Sequence, residues 1–186
     1  MPKINKHARK ILVVLFSLTI LCMAAFMIYK IADRKRILDG RNTFTPIEIN
    51  LPGNFIRTIR ADNHTSQFII MFFDPDCYYC HLETEAILEN IEDFDGIKIY
   101  MLTTNEFDAI KEFENQYELA RYPQIISGRI TEDVFSSIYG ITAIPSLMIY
   151  DENGVLQFLN SGYTPVAQIL NILGNKSGNK PEYPGE

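Results

Sequence analysis

The 186-residue chain has only three cysteines and three histidines, and no tryptophan. Three cysteines cannot build the disulfide framework that holds small exported domains together, so stability has to come from an apolar core. With 47% hydrophobic residues, that core is available. Cys22 lies inside an apolar run, which leaves Cys77 and Cys80 to the folded part. There is no second C-x-x-C and no H-x-H, so a closed zinc cluster lacks ligands. Cations are scarce beyond residue 41: eight Lys+Arg stand against twenty-one Asp+Glu, whereas residues 1–41 carry nine against two. An acidic body argues against recognition of nucleic acid, and the basic head suits a membrane-proximal segment. No internal repeat is present.

What is present begins with a basic tail over residues 1–10, carrying Lys3, Lys6, Arg9 and Lys10. From Ile11 to Tyr29 there is no charge. As a helix rising 1.5 Å per residue this run is about 28 Å long, close to the hydrocarbon thickness of a bilayer. A transmembrane anchor over residues 11–30 is expected. A cleaved signal peptide would be shorter and end in small residues, but Cys22 or Met23 occupies the outer position before Ala24 and Ala25. Lipid attachment at Cys22 meets a bulky Leu21. Lys30, Arg34, Lys35 and Arg36 follow the span, so flanking charge alone does not orient it. A short basic N-terminus stays inside while long C-terminal domains cross, which places the body outside the cytoplasm. Residues 31–45 read as a linker, 46–173 as the folded domain, and 174–186, rich in Gly, Asn, Pro and Glu, as a disordered tail.

Within the domain, Ile47–Leu51 alternates and precedes a Pro52-Gly53 turn, a short leading strand or hairpin; residues 55–63 are ambiguous. The continuous apolar run from Gln67 to Phe73 predicts a buried central strand. It stops at Asp74-Pro75-Asp76, and Cys77-Tyr78-Tyr79-Cys80-His81 opens a helical pattern. Cys80, Thr84, Ile87, Leu88 and Ile91 share one face of that helix, with Glu85, Glu89 and Glu92 elsewhere. This turns Cys80 inward and leaves Cys77 at the exposed tip, where a helix N-terminus favours a thiolate. A strand at 97–102 follows, then a helix capped by Asn105 with Phe107, Ile110, Phe113 and Tyr117 inward and ended by Tyr122-Pro123. A short strand at 124–126 comes next. Thr131 then caps a short helix burying Val134, Phe135 and Ile138, with Gly140 just past its end. Strands 146–150 and 155–159 flank Asp151-Glu152-Asn153-Gly154, a hairpin signal. Thr164-Pro165 opens a last helix with Val166, Ile169, Leu170 and Leu173 inward. The order predicts an α/β fold: a mixed sheet flanked by helices, preceded by one transmembrane helix.

A C-x-x-C after a buried strand, followed sixty-five residues beyond Cys80 by Ile144-Pro145-Ser146 leading into another strand, resembles the thioredoxin-like superfamily. The extra helix and Tyr122-Pro123 stretch between strands resemble its TlpA/ResA-like branch of membrane-anchored or exported thiol:disulfide oxidoreductases. The resemblance implies a redox-active disulfide between Cys77, the attacking sulfur, and Cys80, the resolving one. It implies a cis Pro145 facing the sulfurs, with Ile144, Tyr78 and Tyr79 meeting substrate. Glu83 matches an acidic position of that branch and is a candidate proton-exchange partner for Cys80; the alternative is a solvated first-turn glutamate. No cofactor and no metal are expected. The implied partners are disulfides of exported proteins and a membrane electron donor, at the inner membrane facing the periplasm or cell exterior. The sequence departs from the family where Asp76 replaces the usual Trp, where Met71 replaces a buried Asp, and where Tyr78-Tyr79 separates the cysteines. Asp76 and Glu83 disfavour accumulation of negative charge on sulfur, while a protonated His81 favours it; the two carboxylates predict a reducing pair. Three rival readings stand beside this one. The motif spells the c-type haem attachment C-x-x-C-H; Cys77, Cys80, His81 and His64 could ligate a metal; or the domain binds partners with an idle dithiol.

Overall fold

A computed structural model describes residues 6–53 and 55–174. Helix α1 runs Lys6–Asn42 and contains an 18-residue window, Leu15–Ala32, of mean hydropathy 2.0 with none of it buried; it is long and apolar enough to cross a membrane. The expected linker at 31–45 is a continuation of this helix through Asn42, since nothing from Ala32 to Asn42 breaks it except the tolerated Gly40. A separate compact unit begins at Asp39.

That unit follows the chain order β1 (Ile47–Leu51), β2 (Phe55–Ile59), β3 (Phe68–Phe72), α2 (Tyr78–Glu89), β4 (Lys98–Thr103), α3 (Phe107–Gln116), β5 (Ile125–Arg129), β6 (Ser146–Tyr150), β7 (Leu156–Ser161) and α4 (Val166–Gly174). The strands form one sheet in the order β2-β1-β5-β4-β3-β6-β7. β3 pairs in parallel with β4, and β4 with β5; the outer pairings are antiparallel. All five residues of β3 are buried, as a strand covered on both faces requires. Its period-2 geometry splits the core. Ile69, Met71 and Phe73 face one way, with Ile99, Met101, Leu147 and Ile149, and meet Cys80 and Ile87 of α2, Phe113 of α3, and Ile169 and Leu173 of α4. Phe68, Ile70 and Phe72 face the other way and join Phe44, Ile49, Tyr100, Tyr139 and Tyr150.

Several local expectations give way to tertiary context. β2 resolves the ambiguous stretch, pairing Ile47 with Ile59 through Leu51 with Phe55. β5 extends to Arg129 because Ser127 and Gly128, although not apolar, are small and buried; a Cβ on Gly128 would lie 3.1 Å from the Ile49 side chain. Asn105 does not cap α3. It accepts a bond from Thr103 Oγ1 at 3.1 Å, and Glu106 takes the cap position. α3 stops at Gln116, before Tyr122-Pro123, where Glu118 adopts φ 50° and starts a single 3₁₀ turn at Leu119–Arg121. The short helix after Thr131 is π-helical over Asp133–Ile138, and Val134, Phe135 and Ile138 are only half-buried. Thr131 Oγ1 does receive the Val134 N–H, at 3.4 Å. β7 begins at Leu156; Val155 is exposed and bridges Thr43. The expected tail at 174–186 lies, beyond Gly174, outside the described residues.

Candidate active site

The end of β3 delivers the site. Pro75 cannot continue a strand ladder, and Asp74 closes a tight turn after Phe73: its carbonyl receives the Cys77 N–H at 3.0 Å and its Oδ1 receives the Asp76 N–H at 2.8 Å. Cys77 takes the cap position of α2 with φ −84° and ψ 116°. Its carbonyl accepts the N–H groups of Cys80 at 3.0 Å and His81 at 3.2 Å, so the first turn of α2 winds directly over the dithiol. Both cysteines are thiols. Cys77 is half-exposed and Cys80 fully buried.

Opposite them stands the segment before β6. The Ile144–Pro145 peptide bond is cis, and the Cys77 Sγ lies 3.9 Å from the Ile144 carbonyl oxygen. Pro145 is buried and Ile144 half-buried. The Pro145 carbonyl receives the Gly162 N–H at 2.7 Å, which brings the loop after β7, with its exposed Tyr163, against this wall. Tyr78 and Tyr79 are 68% and 56% exposed, their rings 5.5 Å apart and nearly perpendicular.

Beneath the sulfurs the surroundings are buried. Burial is the main cause that pushes the Cys80 thiol far above its ordinary range; contact with the Asp74 backbone opposes it, while the Cys77 sulfur and the Glu83 charge add to it. Glu83 has no solvent exposure at all, so the solvated first-turn alternative does not hold. Neither of its carboxylate oxygens meets a donor in hydrogen-bonding geometry among the described residues, and the buried Thr84 hydroxyl is likewise unpartnered. Burial pushes the Glu83 carboxyl up to about 7; the Thr164 hydroxyl and N–H lie near enough to oppose the rise in part without forming aligned bonds. Thr164, from the loop before α4, is fully buried and anticipated by the sequence only as a helix cap.

His81 packs against α3. Its Nδ1 lies 2.6 Å from the Tyr117 hydroxyl, and Tyr117 donates to Glu85 Oε1 at 3.2 Å. A hydroxyl has one hydrogen, so the bond to Glu85 goes with the His81 tautomer whose Nδ1–H donates to Tyr117. The ring also lies 5.1 Å from Phe113, so His81 ties α2 to α3. The pattern of inward positions on α3 marks Tyr117 but not this bond.

This geometry disfavours two rivals. Covalent haem attachment needs both sulfurs accessible, and Cys80 is sealed in the core. A ligand set including His64 fails because His64 stacks on Phe68 at 4.2 Å, on the other face of the sheet from Cys80. Among the described residues no group of three or more His, Cys, Asp or Glu side chains converges.

Comparison with known proteins agrees with this architecture. The thioredoxin domain of a thiol-disulfide oxidoreductase from Bacteroides vulgatus superposes with a TM-score of 0.58 at 16% identity, covering 72% of this chain and 94% of that one. A thiol:disulfide interchange protein from a Bacteroides species gives 0.57 at 16%, covering 73% and 88%. A secreted disulfide oxidoreductase of Mycobacterium tuberculosis gives 0.57 at 13%, covering 73% and 98%. At such identities the likeness establishes the fold. No curated protein sequence matches the chain. Residues 56–177 match the family model of the thioredoxin-like domain, so the chain belongs to the thioredoxin-like family.

Proposed function

We propose that this protein is a membrane-anchored thiol:disulfide oxidoreductase of the TlpA/ResA type, acting on disulfides of exported proteins. The observation that carries the reading is the asymmetry of the dithiol: a half-exposed Cys77 at the tip of α2, 3.9 Å from the Ile144 carbonyl, above a sealed Cys80. In the reducing direction the Cys77 thiolate attacks a client disulfide. That S–S bond breaks, one client sulfur leaves with the electron pair, and a Cys77–client disulfide forms. Cys80 then attacks Cys77 Sγ, its proton passing to the buried Glu83 carboxylate. The second client sulfur leaves, and a Cys77–Cys80 disulfide remains. Ile144, Pro145, Tyr78 and Tyr79 form the wall and rim against which the client lies. A membrane electron donor returns two electrons to complete the cycle. The span Leu15–Ala32 in α1 supports the anchor, and a basic N-terminus before a long C-terminal domain supports a domain facing the periplasm or cell exterior.

The test is reduction of insulin disulfides by the full chain in detergent. Cys77→Ser is expected to abolish the rate, and Cys80→Ser to accumulate mixed disulfides on Cys77. Equal rates for the native chain and Cys77→Ser would instead leave a partner-binding module with an idle dithiol.

A further inference from the structure

Three loops border Cys77: the turn before α2, the segment before β6 and the loop after β7. The turn before α2 and the loop after β7 carry exposed groups, and the segment before β6 meets the sulfur directly, with the Ile144 carbonyl oxygen 3.9 Å from Cys77 Sγ. Tyr78 and Tyr79 stand beyond it, Tyr163 is brought in by the bond between Gly162 and the Pro145 carbonyl, and Asp76 is exposed immediately before it. These are the three most exposed tyrosines described after residue 42. Residues 73–80, 140–146 and 160–165 contain two aspartates and no Lys or Arg. Asp76 makes no ion pair among the described residues. His81, the nearby ionisable base, is engaged with Tyr117 on α3. These three segments thus offer aromatic faces and carboxylate charge and supply no cation.

Aromatic faces and carboxylates share one preference: both attract cationic side chains, the rings through their quadrupole and the aspartates through charge. A neutral apolar segment would use the rings but would desolvate Asp76 without compensation, and an acidic segment would meet repulsion. We propose that the rim selects its client: an extended protein segment whose disulfide cysteine is flanked by Arg or Lys. This rests on the dithiol reading above and adds the class of segment that the dithiol meets.

The test uses the full chain carrying Cys80→Ser in detergent, with short peptides X-Cys-X whose cysteine is activated as a mixed disulfide with 5-thio-2-nitrobenzoate. The Cys77 thiol loses its proton to the medium and attacks the peptide sulfur. The peptide–reagent S–S bond breaks, the coloured thiolate leaves with the electron pair, and a Cys77–peptide disulfide forms. Rates are compared for X as Arg, Ser and Glu. Arg-flanked peptides are expected to react about tenfold faster than Glu-flanked ones at low ionic strength, with the ratio shrinking as salt screens the charges. Asp76→Asn and Tyr78→Ser, both at exposed positions, are each expected to reduce the ratio by about threefold. Equal rates for the three peptides, with release of the thiolate intact, would overturn the selectivity and leave the dithiol reading standing. Release no faster than in a Cys77→Ser, Cys80→Ser control would overturn both.

Discussion

Glu83 is the residue whose energetics are most unusual, because a carboxylate sealed beside Cys80 costs stability, a cost that the proposed proton exchange would explain. Its folded carboxyl titrates at about 7 against an ordinary 4.5. Below the unfolded value both states hold the proton and the group is neutral to stability. Between the two values the unfolded chain releases the proton while the folded chain retains it, so stability falls as pH rises and levels off above the folded value. The difference corresponds to roughly 3 kcal/mol. Glu83→Gln is therefore expected to flatten this part of the stability profile. In denaturant titrations the variant should gain on the native chain between pH 5 and pH 8; a constant difference would refute the buried charge. The same substitution should slow resolution of the mixed disulfide. The two sulfurs are expected to part company equally clearly. Brief alkylation of the reduced chain at neutral pH, read by peptide mass spectrometry, should modify Cys77 and spare Cys80, whose thiol is buried and held in its protonated form. Rapid modification of Cys80 in the folded chain would remove the structural basis for the resolving role proposed for it.

At the scale of elements, the close approaches of backbone are the sensitive points. The turn between β6 and β7 puts Gly154 at φ +74°, and its carbonyl receives the Phe44 N–H at 2.7 Å. A Cβ there would fall 2.7 Å from the Ala61 Cβ and 3.2 Å from the Phe44 Cβ. Gly154→Ala is expected to lose about 1–3 kcal/mol of unfolding free energy, from strained φ and overpacking together. Thermal or urea denaturation would show it, and an unchanged midpoint would mean that the Phe44 junction is soft. Elements set by continuous patterns were legible in the sequence. β3 announced itself by its run of apolar residues, α2 by its period, and the β6–β7 hairpin by Asn153-Gly154. Elements decided by distant partners were not. α3 ends at Gln116, two residues before a glutamate in the left-handed region, and no breaker signals the stop. Ser127 and Gly128 are strand residues only because β1 lies close beside them. The burial of Glu83 belongs here too. The helical repeat marked a stripe through Cys80, Thr84 and Ile87, yet α4 and its preceding loop widen the covered face, and Thr164 lies far downstream of Glu83 in sequence.

For the whole molecule, the proposed anchoring makes the position of the dithiol relative to the chain's entry into the domain matter. The chain enters the compact unit at Thr43 and Phe44, which bond to Val155 and Gly154 in the turn after β6. β6 runs antiparallel to β3 and pairs Tyr150 with Phe68, so this entry lies where β3 begins. Cys77 follows the other end of β3. With about 3.3 Å per residue, the five-residue strand separates the two ends by roughly 17 Å. The chain's entry into this unit and the sulfurs therefore lie at opposite ends of β3. α1 carries a span long and apolar enough to serve as the proposed anchor, while the acidic body, with few cations, has little electrostatic attraction of its own for anionic lipid. Membrane association is thus expected to depend on α1 alone. The full chain should remain with membranes through carbonate extraction, and a chain beginning at Asp39 should be released. In intact cells a membrane-impermeant maleimide should modify Cys77 of the full chain from outside. Labelling only after the cytoplasmic side is opened would reverse the orientation, and with it confine the dithiol to a compartment where exported disulfides do not occur.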